Sequence, residues 1–207
     1  KPKAILFDFG DTILHENKFE PENGNQFLYS IINNKKGIKY KQILDRIKML
    51  HAEIYPQKNE THFEVSWVAF NRLIFDYFNL SIPISYEEGE FEFWRRAYEW
   101  EPAPDIQITL EALKQMEIKI GIVSNIAFSG KTLEYELKKH DLLNYFDFVI
   151  ASSDYGFRKP HPFIFNLAIS RLNTFPNETW FIGDNIDVDI NGSKKDGMKA
   201  LQYIGKN

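Results

Sequence analysis

The chain has 207 residues, 43% hydrophobic and 15% aromatic, which is enough apolar material for a buried core and a second small domain. A formal net charge of -4 and a pI near 5.8 argue against a nucleic-acid partner, which asks for a basic balance. The absence of cysteine excludes disulfides, thiolate nucleophiles and cysteine-held zinc; no stretch reaches membrane-spanning length and no signal-peptide pattern opens the chain, so a soluble, cytoplasmic protein is expected.

The first apolar run, Ala4 to Phe7, is short, continuous and ended at once by polar residues, as in a strand buried on both faces of a parallel sheet. Residues 16–101 read differently. Their apolar positions are spaced for helices (Phe27, Leu28, Ile31; Ile43, Ile47, Leu50; Phe70, Leu73, Ile74; Phe91, Trp94, Tyr98), and no buried strand is evident. Four helices are expected there, and Pro102 and Pro104 mark the return to the sheet. Further strands are expected at 118–123, 146–151, 179–182 and 200–204, and helices at 106–116, 131–140, 163–172 and 187–196. Strands alternating with helices predict an α/β fold with a Rossmann-like parallel sheet of about five strands. The expected division is a core of residues 1–15 and 101–207 and a helical insertion of residues 16–100.

Ligands of such a sheet sit beyond the carboxyl ends of its strands. Those ends hold Asp8-Phe9-Gly10-Asp11-Thr12, Ser124-Asn125, and Gly183-Asp184-Asn185 followed by Asp187 and Asp189; Lys159 precedes the helix leading to the last group. Asp8 is of a type able to form an acyl phosphate. Carboxylates gathered at one point repel unless a cation intervenes, and oxygen ligands suit Mg2+. The Ser124 hydroxyl, the Asn125 main-chain N–H and the Lys159 ammonium are donors for a phosphoryl group. Asp11 and Thr12 also read as turn caps, and Asp187 as an acid of a helix's first turn. The five histidines show no metal-ligand spacing, and no P-loop pattern occurs.

In order and position these motifs resemble the haloacid dehalogenase-like superfamily along the whole chain. The resemblance implies a hydrolase in which Asp8 is nucleophile and metal ligand. It further implies that the Gly10 carbonyl and Asp184 complete the Mg2+ site and that Ser124, Asn125 and Lys159 hold phosphate. Asp189 and Thr12 are supporting residues, Asp189 as support for the metal or to orient Lys159. The insertion resembles the family's cap of the first type. A phosphatase of small phosphomonoesters, such as sugar phosphates or nucleotides, is expected, as a monomer or homodimer.

One residue departs from the pattern. Phosphatases of this family place a second Asp two residues after the nucleophile to protonate the leaving group, and this chain has Gly10 there. Such an acid contributes about 10²–10⁴-fold, so weak activity, or activity confined to good leaving groups such as sugar 1-phosphates, is expected. Asp11, one position on, would point away in an extended chain. Two rival readings stay open: a metal-independent dehalogenase, to which Asp184 and Asp189 would be a liability, and a phosphate- or partner-binding protein without turnover.

Overall fold

A computed structural model describes residues 1–205. Among these, five parallel strands form one sheet in the order β5-β4-β1-β6-β7: β1 (Ala4–Phe7), β4 (Lys119–Ser124), β5 (Phe148–Ala151), β6 (Thr179–Gly183) and β7 (Lys199–Gln202). β1 is central, pairing with β4 and β6 in registers that set Phe7 beside Ile122 and Ile182. The ends of three neighbouring strands therefore converge on one spot. The expected α/β class is the observed one.

Strand alternation sorts the core onto two faces. Ile5 and Phe7 join Ile120, Ile122 and Val149 on one side, under α5 (Ile106–Gln115) and α6 (Gly130–Lys139). Ala4 and Leu6 join Val123, Ile150 and Phe181 on the other, against α8 (Pro162–Leu172). A short helix, α7 (Ser152–Tyr155), follows β5.

Between β1 and α5 lie α1 (Pro21–Ile31), α2 (Tyr40–Thr61), α3 (Trp67–Phe78) and α4 (Tyr86–Ala97). Ser66 caps α3, its hydroxyl accepting from Ala69 N at 3.1 Å, and a reciprocal Ser85–Glu88 capping box opens α4. Two strands that the sequence did not disclose, β2 (Leu14–Phe19) and β3 (Tyr98–Pro102), pair antiparallel at the root of this segment. They straddle the expected boundaries at 15/16 and 100/101. β2 buries only Leu14 fully, so its pairing with β3, rather than an apolar alternation, makes it a strand.

The buried cluster of the first sheet face continues without interruption into these helices through Phe9, Trp94, Trp100 and Phe128. Trp94 and Trp100 stack at 5.7 Å with 12° between planes, and Phe9 meets Trp100 edge-on. Three buried carboxylates fasten the helical segment to the sheet domain. Glu64 accepts from Ser152 Oγ at 2.8 Å and ion-pairs with Arg158 at 2.6 Å and with Lys58. Glu90 accepts from Ser129 N (2.9 Å) and Thr132 Oγ1 (2.8 Å), and Glu136 from Trp94 Nε1 (2.8 Å). No helix among the described residues is long and apolar enough to cross a membrane.

Candidate active site

Asp8 follows β1 directly, and its N–H still donates to Ile182 O at 2.9 Å, so the ladder fixes its backbone. The chain then turns sharply. Asp11 adopts a left-handed φ of 53° and donates its N–H to Leu14 O at 2.7 Å. Strand alternation stops before Asp11; its carboxylate is exposed and lies 3.5 Å from His15 Nδ1. Thr12 is buried with its Oγ1 lacking a hydrogen-bond partner among the described residues, so nothing links it to the neighbouring carboxylates.

Lys159 is 2% exposed, and its ammonium lies 2.6 Å from Asp8 Oδ1 and 2.7 Å from Asp189 Oδ1. Asn125 seats that lysine: its Nδ2 donates to Lys159 O (2.8 Å) and its Oδ1 accepts from Lys159 N (2.7 Å). Ser124, buried, closes β4 beside β1. Beyond β6, the expected helix over 187–196 is instead a π-helical turn, Ile186–Asn191, followed by α9 (Gly192–Lys195). Asn185 caps that turn, its Oδ1 accepting from Asp187 N and Val188 N. The wider winding turns Asp189 inward to full burial while Asp187 stays exposed. Asp189 Oδ2 accepts from Asn185 N at 3.1 Å.

The carboxylates of Asp8, Asp184 and Asp189 each offer an oxygen, and all three lie within 4.8 Å of one another. Burial, then the charge of Asp189, pushes the Asp8 carboxyl up to about 6 against the pull of Lys159. Asp184 is raised by burial and again by Asp189. Burial alone would pull the Lys159 ammonium down, but Asp8 and Asp189 hold it charged and move it upward. One lysine faces three carboxylates. Asp189 Oδ1 meets that lysine as a charge contact and has no hydrogen-bond donor. An all-oxygen cluster with uncompensated negative charge fits a hard divalent cation. Gly10 adjoins this cluster; a Cβ there would lie 3.8 Å from the Trp100 ring, an ordinary contact.

A cavity of about 400 Å³ lies between the helical segment and the loop after β4 and reaches Asn125, whose side chain clamps the Lys159 backbone. Neither this cavity nor Glu64 was anticipated from the sequence. Its walls are drawn from β2, β3, α1, α2, α3, α4 and the loops between elements, so no single periodicity announces it.

A family model described as haloacid dehalogenase-like hydrolase matches residues 5–202. A glyceraldehyde 3-phosphate phosphatase of Methanopyrus kandleri is 26% identical over 202 residues, which covers 97% of this chain and 83% of that protein. The crystal structure of a HAD phosphatase from Thermococcus onnurineus has 30% identity and a TM-score of 0.64, over 98% of this chain and 86% of the other. A 2-haloacid dehalogenase from Pseudomonas syringae pv. Tomato has a TM-score of 0.66 at 21% identity, covering 98% and 86%, a likeness of fold alone.

Proposed function

This chain belongs to the haloacid dehalogenase-like hydrolases, and from that footing we propose that it is a Mg2+-dependent phosphatase of small phosphomonoesters. The reading rests above all on one observation: a buried lysine bridges Asp8 and Asp189, with Asp184 alongside, where three parallel strands end. The similarity to a glyceraldehyde 3-phosphate phosphatase supports the same class of substrate.

The Asp8 carboxylate attacks phosphorus and forms an aspartyl-phosphate, and the ester oxygen leaves with the bonding electrons. Lys159 balances charge on the phosphoryl group, and the Ser124 hydroxyl and the Asn125 N–H donate to its oxygens. Asp8, Asp184 and the Gly10 carbonyl would hold Mg2+, whose charge, when bound, lets carboxylates and a phosphate dianion share one site. Asp189 keeps Lys159 in place. Water then attacks the acyl phosphate, freeing phosphate and restoring Asp8. In this reading residues 16–100 are a type 1 cap on a core of residues 1–15 and 101–207, limiting water during the first step and admitting it for the second. A dehalogenase would bring an anionic acid against three carboxylates and one lysine, an unfavourable balance.

Phosphate release over a panel of phosphomonoesters, with and without Mg2+ and with Asp8→Asn as the blank, tests this. Mg2+-dependent turnover that Asp8→Asn abolishes is expected. Halide release without metal, or ligand binding without turnover in any condition, would overturn it.

A further inference from the structure

We propose that the substrate class is the aryl phosphomonoester: phosphate carried on a phenolic oxygen, with its ring in the cavity beside Asn125. This deepens, and rests on, the phosphatase reading. The cavity walls present Phe19, Tyr55, Phe70, Phe93, Tyr98 and Phe128. Such faces and edges bind a flat ring better than a polyhydroxylated chain.

The charged groups on those walls, and two of the three amides, are engaged elsewhere. Asn71 donates to Trp67 O at 3.0 Å, Asn125 clamps the Lys159 backbone, and Lys58 and Arg158 are both paired with Glu64. Asn25, His51 and the hydroxyls of Tyr55 and Tyr98, themselves borne on aromatic rings, remain to meet a hydroxyl. Each sugar hydroxyl buried without a partner would cost roughly 10- to 100-fold in affinity.

The chemistry points the same way. Among the residues lining the cavity there is no Asp or Glu to protonate a departing oxygen, and burial, then the charge of Lys58, shifts the one histidine there, His51, toward its neutral form. Beside Asp8, Gly10 offers no acid; the Trp100 ring lies at an ordinary van der Waals distance from where its Cβ would stand. The neighbouring Asp11 turns outward to solvent. An oxygen that must leave unprotonated leaves best as a phenolate. Phenols ionise near pH ~10, as tyrosine does, whereas alcohols behave more like water, at roughly 16. In the step proposed, the Asp8 oxygen–phosphorus bond forms as the phosphorus–aryl oxygen bond breaks; the phenolate takes the electron pair and then a proton from solvent. Water hydrolyses the acyl phosphate to inorganic phosphate and Asp8.

The test compares 1-naphthyl, phenyl and benzyl phosphates with glycerol 3-phosphate and glyceraldehyde 3-phosphate, all with saturating Mg2+, in wild type and in Tyr55→Ser. Tyr55 is an exposed α2 residue on the cavity wall, so its change spares the core. Aryl esters should exceed glycerol 3-phosphate in kcat/KM by about 100-fold or more. Benzyl phosphate, which has a ring but an alkoxide leaving group, should keep an aryl-like KM with a much lower kcat, separating the pocket from the leaving group. Tyr55→Ser should raise KM for 1-naphthyl phosphate about tenfold. Glycerol or glyceraldehyde phosphate turned over as fast as the aryl esters overturns the aryl assignment and leaves the phosphatase standing. So does a KM for 1-naphthyl phosphate that Tyr55→Ser leaves unmoved. No Mg2+-dependent turnover of any ester, nor of the mixed anhydride acetyl phosphate, removes the phosphatase reading itself.

Discussion

Lys159 and Asp8 stand 151 residues apart in sequence, and their Nζ and Oδ1 atoms lie 2.6 Å apart in the fold. With Asp189 at 2.7 Å on the other side, a single ammonium is shared between two carboxylates, one partly and one fully buried. Lys159→Met would strand both. Removing one partner of a buried pair costs about 3–5 kcal/mol, so the urea midpoint at pH 7.5 should fall by that equivalent and turnover should be lost. The deficit should shrink below pH 6, where the Asp8 carboxyl, pushed up to about 6 by burial, takes up a proton. A variant as stable as wild type at pH 7.5 would mean the bridge contributes nothing.

The raised Asp8 carboxyl predicts a pH dependence of defined sign. Its folded value of about 6 lies above the usual 3.8, so the folded chain binds that proton more tightly than the unfolded one. The resulting stability is complete below pH 3.8 and is lost as pH rises through about 6. Asp184, raised by burial, acts in the same sense. Without metal, the stability difference between wild type and Asp8→Asn should therefore decline from pH 4 to 6. Saturating Mg2+ should flatten that decline, because a bound cation favours the carboxylate form. A metal-free difference that grows across this window would contradict the assignment.

Gly10→Asp should restore a proton donor. The new Cβ meets the Trp100 ring at an ordinary 3.8 Å, so the variant should fold. Turnover of alkyl phosphates should rise by ~10²-fold, the lower end of general-acid effects, with aryl esters changing far less. Steady-state rates on glycerol 3-phosphate and phenyl phosphate decide it; an alkyl rate that does not move counts against a missing acid.

Gly183→Ala probes how tightly Asp189 is held. A Cβ at the end of β6 would collide with the Asp189 carboxylate, which has no free direction because the π-helical turn fixes it. Displacing Asp189 unseats Lys159, so kcat should fall by at least about tenfold and stability by ~1–3 kcal/mol. Thermal melts and 1-naphthyl phosphate rates on the same sample check both; wild-type values in each would show that the turn yields.

The sheet was legible because its inner strands are buried on both faces, although the edge strand β7 is largely exposed. Ala4–Phe7, Phe148–Ala151 and their neighbours read as unbroken apolar runs, and the chemistry stands just past their ends. The β2–β3 pair was not legible, because Leu-His-Glu-Asn-Lys-Phe has a single fully buried side chain and becomes a strand only against Tyr98–Pro102. The π-helical winding at 186–191 left no mark in composition either, yet it separates buried Asp189 from exposed Asp187. Glu64 looked like any loop acid. Its partners Lys58, Ser152 and Arg158 are scattered along the chain, and only the folded arrangement joins them.

Those fastenings bear on how such a protein could be re-engineered. Glu64, Glu90 and Trp94 each reach across to receptors on the sheet side: Arg158 and Ser152, Ser129 and Thr132, and Glu136. Helices grafted from a cousin would land on orphaned donors and a lone buried carboxylate, however well their apolar faces matched. A workable chimera has to transplant lock and key together, exchanging both sides of each latch in one operation.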